Sequence, residues 1–225
     1  FSRMTRQIWK QEGIWMSKRG SLIIISGFSG AGKGTVVKAL TAAHDNYALS
    51  ISATTRDPRE GEVNGREYFF KTTEEFEELI RQDALYEYAQ YVSHYYGTPK
   101  AYVQEQREAG KDVILEIEVQ GALAVKKMNP EALLLFVTPP SAQELKRRLI
   151  ARGTESMEVI LQRLARAREE AKLMDQYDYL IVNDDLNACV EEIHRLVMRE
   201  RLRMQENLDF VEKIRGELDE MTSGK

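Results

Sequence analysis

Apolar residues in this chain collect into short runs, and between the runs lie stretches where they recur every three or four positions. The runs are Leu22-Ile-Ile-Ile-Ser26, Asp112-Val-Ile-Leu-Glu116, Leu133-Leu-Leu-Phe-Val137 and Tyr179-Leu-Ile-Val182. Each is short, rich in branched or bulky side chains, and reads as a buried strand. Lys33 to about Ala43 and Gly121–Lys127 carry helical spacing. Buried strands that alternate with helices predict an α/β fold, a parallel sheet flanked by helices. Helix starts are marked by Thr72-x-x-Glu75 and Ser141-x-x-Glu144, both capping-box patterns, and by Thr98-Pro99, an N-cap with proline at the first helical position. Gly110 is expected to stop that last helix. From about Ser50 to Thr98 the alternation breaks. That stretch is rich in Tyr, Gly, Thr and Arg, with strand-like Glu67–Lys71 and Leu85–Tyr91, and it reads as an insertion.

The two ends differ from the middle. Residues 1–20 are basic (Arg3, Arg6, Lys10, Lys18 and Arg19 against Glu12) and lack the apolar run of a secretory signal. They are expected to be a loosely ordered extension ahead of a natural start at Met16. From Leu186 to about Met221 the chain reads as an amphipathic helix with Ile193, Leu196, Val197, Leu202, Met204 and Leu208 in its apolar stripe. Such a stripe packs on the body of a protein or forms a dimer contact, so monomer and homodimer both stay open.

Composition narrows the classes. The 225 residues carry 32 basic and 36 acidic side chains, a net charge of −4, which argues against a nucleic-acid binder that works by bulk charge. The longest apolar runs fall far short of the roughly 20 residues a membrane helix needs. One cysteine, Cys189, excludes an internal disulfide and fits a reducing, cytoplasmic setting. His44, His94 and His194 stand far apart and show no zinc-type spacing.

The strongest chemical signal follows the first strand. Gly27-Phe-Ser-Gly-Ala-Gly-Lys33-Gly-Thr35 has the Gly-x4-Gly-Lys spacing of a phosphate-binding loop between a strand and a helix. Glycines let backbone N–H groups turn inward, and the helix N-terminus adds positive potential. The usual Ser or Thr after the lysine is replaced by Gly34, so Thr35 is the candidate hydroxyl for Mg²⁺, directly or through water. A triphosphate site follows. A second anion pocket is suggested by Arg56 and Arg59, three apart, with Tyr68 further on, since guanidiniums grip a phosphate bidentately and a phenol donates one more hydrogen bond. A basic cluster, Arg147, Arg148 and Arg152 with Arg163, Arg166 and Arg168, marks a third region.

With these segments in order, the chain resembles the guanylate kinase family over about residues 20–205. The resemblance rests on the P-loop, Thr54-Thr55-Arg56-x-Pro58-Arg59-x-Gly61-Glu62, Glu87, Tyr95-Tyr96-Gly97-Thr98, Gln120-Gly121, Pro139-Pro140-Ser141, Arg152-Gly153-Thr154-Glu155 and Ile181-Val182-Asn183-Asp184. It implies a P-loop kinase core (21–51, 110–140 and 175–205), a GMP-binding insert (52–98), a helical lid (about 141–172) and a C-terminal helical tail (206–225). ATP, with Mg²⁺, would bind Gly27, Ser29, Gly30, Ala31, Gly32, Lys33, Gly34, Thr35 and Asn183. GMP would bind Ser52, Arg56, Arg59, Tyr68, Glu87, Tyr96, Thr98, Glu116 and Glu118. Lys33, Arg148, Arg152 and Arg163 would be catalytic, while Arg166 and Arg168 are read as surface. Guanine shows N1–H and its 2-amino group side by side, a pair that one carboxylate, Glu87, can accept together, whereas adenine would aim a lone pair at it.

Two departures from the family stand out: Glu116-Ile117-Glu118 where Asp-x-Asp is common, and Phe28 where proline is usual. The expected reaction is in-line transfer from ATP to GMP. It needs no general base, because the attacking phosphate oxygen is already ionised. A catalytically silent guanylate kinase-like interaction module is the alternative, and it is disfavoured by an intact P-loop.

Overall fold

The computed structural model describes residues 19–153 and 155–223. Its centre is a five-stranded parallel sheet in the order β2-β7-β1-β8-β9. These strands are β1 (Leu22–Gly27), β2 (Tyr47–Leu49), β7 (Asp112–Glu116), β8 (Leu133–Thr138) and β9 (Tyr179–Val182). Every residue of β1 is buried, as its unbroken apolar run demands. One face of the sheet packs Ile23, Ile25 and Leu135 against α1 (Lys33–Ala43) and α7 (Leu186–Glu200). The other packs Leu22, Ile24 and Leu134 against Val103 of α3 (Lys100–Glu108) and Ala122 and Val125 of α4 (Val119–Met128). Among the described residues, no helix is long and apolar enough to cross a membrane.

A second sheet, in the order β4-β3-β6-β5, is built from β3 (Ala53–Thr54), β4 (Phe69–Phe70), β5 (Leu85–Tyr91) and β6 (His94–Pro99). It has its own small core, in which Phe76 of α2 (Thr73–Arg81) is fully buried and stacks on Tyr95. The Thr72–Glu75 capping box is present in both halves. A helical pair, α5 (Ala142–Ala151) and α6 (Met157–Ala171), closes a third cluster through Leu145, Leu149, Ile160 and Ala167, with Phe28 packed against it. Ser141 caps α5, but the reciprocal bond is missing because the Glu144 carboxylate is taken by Arg147 and Arg148.

Two expectations need correction. Thr98 is not a helix cap. It lies buried in β6, its hydroxyl is committed to Glu87, and Pro99 is the residue before α3. Gly110, at φ +84°, does end that helix, its N–H donating to the Arg107 carbonyl at 2.9 Å. The C-terminal helix is not continuous. It breaks after Glu200, and the Asn207 amide donates to the carbonyls of Arg201 and Arg203 before α8 (Leu208–Thr222) begins. Ile193 and Val197 are buried, whereas Leu202, Met204 and Leu208 are exposed, so the stripe packs only as far as α7. The extension expected at residues 1–20 lies outside the described residues up to position 18.

Candidate functional site

The P-loop joins the end of β1 to α1 at the middle of the parallel sheet, the place where a strand edge and a helix N-terminus meet. Gly27 has φ +143°, and a Cβ there would lie 2.0 Å from the Val137 carbonyl oxygen, so the loop can leave the sheet only through glycine. Gly32, at φ +89°, is the cap of α1, and a Cβ on it would lie 2.6 Å from Asn183 Nδ2. Asn183 is buried and donates from Nδ2 to the Ala31 carbonyl at 2.9 Å. Its side chain therefore braces the loop backbone. Lys33 folds back and donates to the carbonyls of Gly27 (2.8 Å) and Phe28 (3.2 Å). Burial pushes its ammonium below the usual lysine range, while Glu116, Glu118 and Glu170 pull it back up. Gly34 and Thr35 are exposed on the first turn of α1.

Phe28 does more than fill a loop position. Its ring meets Phe136 edge-on at 4.9 Å and packs against the α5–α6 cluster, tying the loop to the sheet and to that helical pair. The loop is also gripped from α5 and α6. Arg148 donates to the carbonyls of Ala31 (3.4 Å) and Asn183 (2.9 Å), and its Nε to Glu144 at 2.7 Å. Arg163 donates to the Ser29 hydroxyl at 2.8 Å and pairs with Glu155. Arg152, at the end of α5, is exposed and makes no side-chain hydrogen bond or ion pair among the described residues.

The second sheet brings Arg56, Tyr68 and Tyr96 together. The Arg56 guanidinium stands 5.4 Å from the Tyr68 ring centre and beside the Tyr96 phenol, and the two tyrosine rings are 6.1 Å apart. Glu62 holds this cluster, accepting from Arg56 Nη2 at 3.0 Å and from the Arg59 backbone N–H at 2.7 Å. Arg59 itself is exposed. Glu87, on β5, accepts from the Thr98 hydroxyl at 2.7 Å, and its other oxygen faces Gly121 at the start of α4. Burial raises its carboxyl above the ordinary range, with the Thr98 bond opposing. Ser52 stands just before β3, and its carbonyl accepts from Phe69.

Glu116 does not join that group. Its carboxylate lies 3.5 Å from where a Gly34 Cβ would be, beside Lys33, and so belongs to the P-loop side. Glu118 precedes α4 and is paired with Arg166 of α6, which also donates to Glu170 at 3.0 Å. Arg166 and Arg168 are both exposed at the surface, as expected, but Arg166 also bridges two parts of the fold. Glu170 and Glu62 also escaped notice as site residues. Glu170 follows Arg163 by seven and Arg166 by four, which puts all three on one helical face, and Glu62 follows Arg59 by three.

The family model for guanylate kinase matches residues 19–200. A guanylate kinase of Caldanaerobacter subterraneus is 50% identical over 202 residues, covering 90% of this chain and 98% of its own. One from Streptococcus thermophilus is 52% identical over 211 residues, covering 93% and 98%. The crystal structure of guanylate kinase from Anaplasma phagocytophilum superposes with a TM-score of 0.65 at 28% identity, over 85% of this chain and 91% of that one. With the family model matching residues 19–200 and relatives about 50% identical along most of its length, the chain belongs to the guanylate kinase family.

Proposed function

We propose that the protein transfers the γ-phosphoryl group of ATP to GMP, giving ADP and GDP, in the cytoplasm. The observation that carries this reading is the Thr98–Glu87 pair over Gly121, flanked by the Arg56–Tyr68–Tyr96 cluster. That arrangement offers a carboxylate to N1–H and the 2-amino group of guanine, and cations and phenols to a phosphate beyond it. We assign 21–51, 110–140 and 175–205 to the core, 52–98 to the acceptor insert, 141–172 to the lid and 206–225 to the tail.

The P-loop N–H groups and Lys33 hold the β- and γ-phosphates of ATP, with Asn183 bracing the loop. Arg56, Arg59, Tyr68 and Tyr96 hold the GMP phosphate, and Ser52, Thr98 and Glu87 the base. A GMP phosphate oxygen attacks the γ-phosphorus. The new P–O bond forms as the bond to the β–γ bridging oxygen breaks, and the electron pair leaves with ADP. Lys33, Arg148, Arg152 and Arg163 neutralise charge on the transferred group, and the docked lid excludes water. The donors at the start of α1 fit Mg²⁺: the exposed Thr35 hydroxyl and the Glu116 carboxylate are hard oxygens, close to Lys33. Among the described residues, no three His, Cys, Asp or Glu side chains form a cage, which suits an ion that is held partly by substrate phosphates. When bound, it would screen phosphate charge and orient the triphosphate.

The test is ADP release with GMP, dGMP, AMP, UMP and CMP as acceptors. GMP should be strongly preferred over AMP, and absence of stimulation by GMP would sink the reading. Lys33→Ala should lower turnover by about 10³ or more, with a modest fall in melting temperature because the Gly27 and Phe28 carbonyls lose their donor.

A further inference from the structure

Arg166 has no place in the reaction just described, yet it joins the lid to the acceptor side of the core. Its Nη2 donates to Glu118, the residue that starts α4, and its Nε donates to Glu170 on its own helix at 3.0 Å. Isolated surface pairs contribute little, but this one has three features that set it apart. It spans 48 positions of sequence and links α6 to the loop between β7 and α4. One partner, Glu170, is largely covered, with its second oxygen buried and unpartnered. And Glu118 and Glu170 repel one another, so Arg166 is what turns a repulsive contact between lid and core into an attractive one.

The remaining lid contacts run to the ATP side. Arg148 reaches the carbonyls of Ala31 and Asn183, and Arg163 reaches Ser29. Glu118 is the N-cap residue of the helix whose Gly121 floors the Glu87 pocket, so this contact extends from the lid toward the acceptor pocket. A lid held at the P-loop alone, by Arg148, Arg163 and the packing of Phe28, can pivot there, and a further contact at the start of α4 fixes that pivot.

We propose that Arg166 is a positioning residue that latches the lid to the acceptor side through Glu118, so that the lid arginines are presented over both phosphates. The proposal rests on the reading of α5–α6 as a lid. It predicts a small, salt-sensitive effect on turnover and on lid opening, with no effect on base recognition.

Amide hydrogen exchange on the unliganded protein tests the latch without reference to the reaction. At low ionic strength, Arg166→Ala should speed exchange through residues 142–171 by about two- to fivefold. Glu118→Ala should act in the same direction but more weakly, because it also removes the repulsion with Glu170, and the double variant should exceed neither the Arg166→Ala effect nor the sum of the two. Arg166→Lys should restore at least half of the protection. Near 1 M KCl, where the screening length is about 3 Å, parent and variant should converge. In steady-state assays Arg166→Ala should lower kcat about two- to fivefold with the KM for GMP nearly unchanged. The proposal is overturned if Arg166→Ala leaves lid exchange unchanged at low salt, or if Lys is as poor as Ala, or if the two alanine effects add. A wild-type protein that does not phosphorylate GMP would remove the reaction assigned above, while the exchange experiment would still decide the latch.

Discussion

Replacing Glu87 by glutamine removes one charge and one acceptor at nearly constant shape. One oxygen of Glu87 already takes the Thr98 hydroxyl at 2.7 Å, and the other faces the space over Gly121. A guanine seated there brings two donors, N1–H and the 2-amino group. The glutamine amide has only one acceptor oxygen, and its NH₂ must face either guanine or the Thr98 hydroxyl. One charge-assisted bond is lost, at about 1.5–3 kcal/mol, and one buried donor is left facing another, at about 1–3 kcal/mol. The sum, about 2.5–6 kcal/mol, is a factor of about 10²–10⁴ in kcat/KM for GMP. The KM for ATP should stay within about twofold, and stability should not fall, because burial disfavours the charge in the first place. ADP release measured at varied GMP decides the matter. A loss smaller than about fivefold would refute the assignment of Glu87 to the base.

The same carboxyl sets a pH dependence whose sign is fixed. Burial raises the Glu87 pKa above the ordinary 4.5, and only the ionised form accepts the two guanine donors. Affinity should therefore fall as pH is lowered, starting above the range of an ordinary carboxylate. Guanosine is the suitable ligand, because it lacks a phosphate that would titrate in the same window. Calorimetric titration should show this acid limb in the parent and none in Glu87→Gln.

Gly32→Ala places a Cβ 2.6 Å from Asn183 Nδ2 at a φ of +89°, so backbone strain and a displaced buried amide add to about 2–4 kcal/mol. Thermal unfolding should show a melting temperature lower by about 4–16 °C, with ATP binding lost. His194 stacks on His44 at 3.6 Å between ring centres and shares a 3.0 Å hydrogen bond with Tyr47; burial and His44 depress its pKa, with Glu191 and Asp112 opposing. A depressed histidine pKa means that the unfolded chain binds the extra proton first. Stability should thus be full above about pH 6.5 and decline as pH falls below it, a slope in melting temperature that His194→Gln should flatten.

What the sequence made legible follows from what each residue answers to locally. The unbroken apolar runs of β1, β7, β8 and β9 have one solution, burial on both faces, and their limits fall within a residue of the expected ones. The P-loop was equally plain, since its glycines answer to backbone geometry within nine positions. Thr98 failed for the opposite reason. Its hydroxyl satisfies Glu87, eleven residues away on the neighbouring strand, so the Thr-Pro pair that resembles a helix start was overridden by a tertiary bond. The short strands β2 and β3 carry no run long enough to be read, and pairing with β7 and β6 defines them. Asn183 reads as a residue of the ATP site, and only the fold shows that its amide also braces the loop at the Ala31 carbonyl. Arg166 and Glu118 cannot be linked by any spacing rule, because only the fold brings α6 to the start of α4.

The cations of the site share a property that separates their roles. Lys33 is bound to its own loop carbonyls, Arg56 to Glu62, Arg148 to Glu144 and two carbonyls, and Arg163 to Ser29 and Glu155. Phosphate binding by these groups, as proposed, would exchange internal acceptors for substrate oxygens, so removing one of them should change the unliganded protein as well as the complex. Arg152 has no such acceptor among the described residues. Arg152→Ala should therefore leave the melting temperature within about 1 °C of the parent while lowering kcat by about 10²–10³, the loss of a cation that acts on the transferred group alone. Arg148→Ala should lower both, because the carbonyls of Ala31 and Asn183 lose their donor together with the lid contact. If Arg152→Ala lowers the melting temperature as far as Arg148→Ala and leaves kcat intact, Arg152 supports the fold, and the charge neutralisation assigned to the lid falls on Arg148 and Arg163.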